Sequence, residues 1–135
     1  MEKSIIAMKI RRYQKSDDLL MINLLKNQGE EWRCCWDPNF VDSYKDALEK
    51  SITYVAYEDE KIIGYIRCLD DFGFYIYVCD LLVEPDYRGQ SIGRKLMEYV
   101  MDNYSSQVVY VMSDVDEYYK KLNYEKEGSI FKVVK

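Results

Sequence analysis

Leu81–Val100 reads LLVEPDYRGQSIGRKLMEYV, and the order of its residue types decides the fold. The run leading into it, Phe74 to Val83, is β-branched and aromatic and predicts a strand. Pro85, just after Glu84, ends that ladder because it lacks a backbone donor. From Ser91 onward, Ile92, Leu96, Tyr99, Val100 and Tyr104 recur at offsets that line one helical face, so the spacing predicts a helix to Tyr104. The first N–H groups of such a helix have no internal partner and carry partial positive charge. A loop with little side-chain bulk therefore lets an anion rest against them. Gly89 and Gly93 give that access. Arg88, Arg94 and Lys95 place cations at a helix start, where the dipole disfavours each by ~0.3–1 kcal/mol; a bound diphosphate reverses the sign. The plainer alternative is that Arg94 and Lys95 form a solvated face and Gly89 merely closes a turn.

Outward from this stretch the period changes twice. Ile52 to Tyr57 and Ile62 to Leu69 are β-rich runs parted by the polar turn Glu58 to Lys61, a hairpin. Asp70, Asp71 and Gly73 mark the turn into the Phe74 strand. Upstream, Ile5 to Tyr13 suits a first strand, with Met1 to Ala7 partly a loose extension. Ser16 offers a cap, and Leu19, Leu20, Ile22, Leu24 and Leu25 supply the apolar face of a helix over 17–28, stopped by Gly29. A second helix is expected with Asp37 as cap, Pro38 in its first turn, and Phe40, Tyr44, Ala47 and Leu48 inward. Glu30 to Trp36 reads as an aromatic loop. Downstream come a buried strand over Gln107 to Met112, a short helix over Glu117 to Leu122, a left-handed turn at Asn123, and two last strands around Tyr124 to Lys126 and Ile130 to Val134.

Composition narrows the function classes. The chain has 135 residues, 48% hydrophobic and 32% charged, with two prolines, which is the profile of one folded domain. No apolar run reaches the ~20 residues of a membrane span, and MEKSIIAMKIRRY lacks a leader's apolar core, so the expected location is the cytoplasm. There is no histidine, and the four cysteines show no CxxC spacing, so no metal site is expected and Ser/His/Asp or Cys/His nucleophilic machinery is excluded. A formal charge of −5 argues against nucleic-acid binding. Catalysis would have to use carboxylates, tyrosines or water.

The Arg88-x-x-Ser91-x-Gly93 segment resembles the phosphate-binding pattern of the GNAT superfamily of N-acetyltransferases, (Arg or Gln)-x-x-Gly-x-(Gly or Ala), which likewise follows a strand and opens a helix. Ser91 stands where the family usually has its first glycine. VAYEDEKIIGYI, Val55 to Ile66, is similar to the family's second and third strands, and YYKKLNY, Tyr118 to Tyr124, to its aromatic-Tyr-x-x-Leu-Gly-Phe segment, with Asn123 in place of the glycine. The customary Asn-x-x-Ala before that segment is absent; Ser113 or Asp114 is the substitute. The resemblance covers almost the whole chain and implies a mixed α/β fold. Its sheet is expected to be twisted and mostly antiparallel, of about seven strands, parallel where the coenzyme strand meets Gln107 to Met112, with about four flanking helices.

The resemblance also implies a reaction, direct acetyl transfer from acetyl-coenzyme A to a primary amine of a small molecule or peptide, and a set of residues. Leu81, Leu82 and Val83 would offer backbone groups to the pantetheine arm. Arg88, Gly89, Gln90, Ser91, Ile92, Gly93 and Arg94 would hold the diphosphate. Tyr119 matches the tyrosine whose hydroxyl faces the coenzyme sulfur as general acid. An arriving ammonium must lose a proton, for which Asp80, Glu84 and Tyr77 are candidates. Simple alternation puts Tyr75, Tyr77, Cys79 and Leu81 on one strand face and Asp80 on the other, so Tyr77 with a water relay and Asp80 stand as alternatives. Cys79 reads as an inert strand cysteine rather than an acyl carrier. Trp32, Cys34, Cys35 and Trp36 either shape the acceptor pocket or anchor their loop; they or a strand edge would serve a homodimer. The competing function is an acyl-coenzyme A-binding module or sensor with weak catalysis.

Overall fold

A computed structural model describes residues 8–135. Five strands form one sheet in the order β1-β2-β3-β4-β5: Lys9–Arg12, Ile52–Glu58, Lys61–Asp70, Tyr75–Val83 and Val108–Val111. Every neighbouring pair is antiparallel except β4 and β5, which run parallel with Tyr75 opposite Val108 and Val78 opposite Val111. The expected parallel junction is therefore present. The helices are α1 (Asp18–Lys26), α2 (Arg33–Trp36), α3 (Val41–Lys50), α4 (Ile92–Asn103) and α5 (Asp116–Lys121).

The sheet divides two cores. On one face Ile66, Cys68, Ile76 and Val78 pack with Ile92, Leu96, Met97 and Val100 of α4, and Tyr119 of α5 joins them. The i, i+4, i+8 spacing of Ile92, Leu96 and Val100 is what aims α4 inward, and each such buried side chain contributes about 2 kcal/mol. On the other face Val55, Ile62, Tyr65 and Leu82 meet Met21, Leu24 and Leu25 of α1, Cys35 of α2 and Leu48 of α3.

Several expectations change. Among the described residues about seven strands become five, because 124–135 forms no ladder. Ile130, Phe131, Val133 and Val134 stay 70–95% exposed, and a β-branched pattern is only as good as the strand it packs beside. About four helices become five, since the expected loop Glu30 to Trp36 coils into a 3-10 turn over Gly29–Trp32 followed by α2. Gly29 enters that turn at φ 79°, closing α1 as expected. Within α1, Leu19 and Leu20 face outward while Met21, Ile22, Leu24 and Leu25 are buried. Ser16 does not cap α1; Asp17 precedes it, and its carboxylate is held by Arg11 through two 2.8 Å bonds. Asp37 does not cap α3 either. Its carboxylate accepts from Arg33 Nε at 3.0 Å and from the Asn39 N–H at 2.9 Å, so the helix begins at Val41 and Phe40 is left exposed. The part of the first strand expected at Ile5 to Ala7, and the loose extension from Met1, lie outside the described residues.

Candidate active site

The site begins with a parting of strands. Ile76 to Val78 are paired with β3 on one side and β5 on the other, and the last bond across to β5's end is Met112 N–H to Val78 O at 3.0 Å. Beyond it, Asp80 to Val83 keep β3 and have no β5 partner. A bulge marks the same place: Arg67 pairs with Asp80 and Cys68 with Val78, so Cys79 is an extra residue without an opposite number. One inserted residue inverts the side-chain alternation. Before the bulge Ile76 and Val78 face α4; after it Leu81 and Val83 pack toward that core while Leu82 lies in the opposite one. Tyr77 and Asp80, placed on opposite faces by alternation, therefore share the α1–α3 face. This corrects the sequence-based assignment.

On that face Asp80 sits in a polar cluster. Its Oδ2 accepts from Arg67 Nε at 2.6 Å and from the Tyr44 hydroxyl at 2.6 Å. Tyr44 has a single proton, given to Asp80, so the Tyr65 hydroxyl 2.6 Å away donates to Tyr44. The order is Tyr65 to Tyr44 to Asp80, with Arg67 completing the carboxylate. Burial raises both tyrosines well above the ordinary phenol range, and the neighbouring phenol and the Asp80 charge push Tyr44 further up. Burial pulls the Arg67 guanidinium down, but Asp80 and Tyr44 more than offset this, leaving it firmly charged. Tyr77 stands half-open nearby, stacked on Tyr110 at 5.8 Å with Tyr75 edge-on. Glu84 is elsewhere: its carboxylate pairs with Lys61 at 2.9 Å and lines a shallow depression of about 100 Å³ with Leu20 and Asn23.

The α4 start adjoins the parted end of β4. Its first helical bond runs from Lys95 N–H to Ser91 O at 3.0 Å, so the amides of Ile92, Gly93 and Arg94 have no helical acceptor. Gly89 (φ 82°) has nothing within 4 Å of where a Cβ would project, which leaves the loop open. Ser91 itself is left-handed, φ 62°, and makes no side-chain cap. A glycine would take that backbone freely, whereas serine is strained by ~1–2 kcal/mol. Gly93 is buried, and a Cβ there would run into the Tyr118 hydroxyl. Two of the expected cations are engaged locally: Arg88 Nε donates to Val83 O at 3.1 Å, and Arg94 Nε lies 3.3 Å from Glu98. Gln90 lies in the exposed loop between them.

Tyr119 is only 9% exposed, in the α4-side core, stacked on Tyr124 with Tyr118 edge-on. Burial, then the neighbouring tyrosines, push its phenol up to about 12, so it stays protonated at neutral pH. Asn123 takes the left-handed turn at φ 63° that brings Tyr124 back onto it. Ser113, a candidate substitute for the missing asparagine, instead bonds Asp116 and the Val115 N–H at the start of α5. Cys79 has its thiol raised by burial, which agrees with an inert residue. The sequence reading missed Tyr44, Tyr65 and Arg67. Tyr44 looked like one more inward helical residue, and only the bulge brings Asp80 onto its side.

Residues 49–126 match the family described as "Acetyltransferase (GNAT) domain", and the chain belongs to that family. It is 28% identical over 94 residues to a protein named histone acetyltransferase TAP1 from Glycine max, an alignment covering 66% of this chain and 41% of that one. The chain thus spans about two fifths of that relative's length. A GNAT family acetyltransferase from Streptococcus pneumoniae superposes with TM-score 0.69 at 25% identity, covering 96% of this chain and 98% of the other. PaiA N-acetyltransferase from Thermoplasma acidophilum, solved in complex with coenzyme A, superposes with TM-score 0.67 at 16% identity over 91% and 94% of the two chains. Among the described residues no helix is long and apolar enough to cross a membrane.

Proposed function

We propose that this chain is a single acetyltransferase domain that transfers acetyl from acetyl-coenzyme A to a primary amine of a small molecule or peptide, in the cytoplasm and without a metal. The observation that carries the reading is the coincidence of three features: β4 parts from β5 at Cys79, the unpartnered amides of α4 begin beside the parted end, and Asp80 lies on the bulged strand. The open loop at Gly89 fits a diphosphate, with Arg88 to Arg94 around it, and the edge of Leu81, Leu82 and Val83, which has no β5 partner, fits an amide arm laid alongside as an added strand. A relative in fold bound to coenzyme A supports the same co-substrate.

Acetyl-coenzyme A would supply an activated thioester. Around it, Tyr119 holds a phenolic proton for the leaving sulfur, as its raised pKa favours. Asp80 takes the proton of the arriving ammonium through its second carboxylate oxygen, directly or by water with Tyr77 beside it. Tyr44 and Arg67 fix that carboxylate and do not touch the reactants. Release of free thiol with a panel of polyamines, aminoglycosides, amino acids and peptide N-termini tests the reading; thiol release that no amine accelerates counts against it. A second reading, an acyl-coenzyme A-binding module, is favoured by the strained Ser91 and by two donors already on Asp80 Oδ2. It predicts coenzyme binding without transfer.

A further inference from the structure

Cys34 and Cys35 are consecutive in α2, with Sγ atoms 3.7 Å apart. Cys34 is exposed and Cys35 is buried. The inner thiol belongs to the core cluster that Tyr44 packs against, and the Tyr44 hydroxyl donates to Asp80 at 2.6 Å. One packed core thus holds both the inner thiol and the tyrosine that binds the carboxylate on β4. Burial, reinforced by the neighbouring Cys34, raises the inner thiol to about 12, which keeps it a neutral reserve until the outer one has reacted.

We infer that Cys34 and Cys35 form a hydroperoxide-sensitive dithiol whose closure to a vicinal disulfide unwinds α2, loosens the core that Tyr44 packs against and so disturbs Asp80. Cys34 Sγ, as thiolate, attacks one peroxide oxygen: the S–O bond forms, the O–O bond breaks, and the departing oxygen takes a proton to leave as water or an alcohol. Cys35 Sγ then attacks Cys34 Sγ. The S–S bond forms, the S–O bond breaks, and the thiol proton leaves with the hydroxyl as water. Two electrons pass from the thiol pair to the peroxide, and a small dithiol reverses the change.

Geometry makes this closure consequential. Adjacent Cα atoms sit about 3.8 Å apart across a trans peptide, below the ~4.4 Å at which disulfides usually begin. The bridge must therefore twist the peptide between the two residues out of helical form. The helix has only one turn to lose. A strained bridge is also easily reduced, the property of a switch rather than a staple. Trp32 and Trp36 flank the pair and are the chain's two tryptophans, so their emission reports the change whether or not the protein is an enzyme.

The experiment treats the full chain with hydrogen peroxide, then dithiothreitol. It follows tryptophan emission, peptide mass mapping and, resting on the proposed acetyl transfer, the ratio of treated to untreated activity. Expected is a Cys34–Cys35 peptide lighter by two hydrogens, an emission change, and an activity ratio lowered about tenfold, as for a base displaced by one pKa unit. All three should reverse, and none should occur in C34S or C35S. Peptides oxidised elsewhere while this pair stays reduced, or emission and activity changes of equal size in C34S, would overturn the proposal. An intact emission switch in a chain that transfers no acetyl would reject the enzymatic reading and keep the dithiol.

Discussion

The two faces of β4 are built from different materials. Toward α4 the strand shows Ile76, Val78, Leu81 and Val83, all apolar and packed on a helix of matching period. Toward α3 it shows Tyr75, Tyr77 and Asp80, with Arg67, Tyr44 and Tyr65 completing a hydrogen-bonded cluster. Fold and candidate chemistry are thus divided between the two faces. The apolar face holds the α4 start in place, and the polar face can vary its hydroxyls and charges without unpacking that helix. The Cys79 bulge is the hinge of the arrangement, since removing one residue there would swing Asp80 into the apolar core.

Breaking the α4 side should give the largest effect. Gly93→Glu must displace Tyr118 and set a negative charge at the amide-rich helix start; coenzyme affinity should fall by at least about a hundredfold. Calorimetry checks this, and retained affinity would remove Gly93 from the binding surface. On the polar side, Asp80→Asn keeps the size and removes the charge. It should lower kcat by about 10²–10³ with coenzyme KM little changed, the signature of a base. An equal loss in KM alone would make Asp80 a binding residue. Tyr119→Phe bridges the two sides by removing only a hydroxyl, and kcat should drop roughly 10- to 100-fold. Full turnover would leave Tyr119 as packing.

Smaller effects sharpen the contrast through stability. Burial raises Cys68 and Tyr119, both in the apolar core, from 9.0 and 10.0 to about 12. The folded chain holds these protons where the unfolded chain has released them. Stability is therefore whole below about pH 9 and is lost as pH rises toward about 12. Melting curves should hold level from about pH 7 and decline beyond about pH 9; a flat profile to about pH 11 would contradict the burial of these groups. Ser91→Gly relieves a left-handed serine. It should add ~1 kcal/mol, about 3–6 °C in Tm, and an unchanged or lower Tm would show that the loop is not strained there.

Much of this was legible in the sequence. Pro85, Gly89 and the Ile92, Leu96, Val100 spacing gave the strand end, the loop and α4 because each acts through local backbone rules. The hairpin of β2 and β3 and the turn at Asn123 were readable for the same reason. The bulge was not. Cys79 has no local signature of an extra residue, and the alternation it inverts moved Tyr77 and Asp80 to one face. Tyr44 and Arg67 joined the site only through that inversion. The last two expected strands failed because Ile130 to Val134 has the right pattern but no ladder, a fact of tertiary partners and not of composition.

Acetyl-coenzyme A is expected to bind where the parted end of β4 meets the free amides of α4. Calorimetric titration of the unmodified chain tests this most directly. The prediction is saturable heat for one site, weakened when the coenzyme lacks its diphosphate. Absence of heat at millimolar ligand, together with an unshifted melting curve, would contradict it.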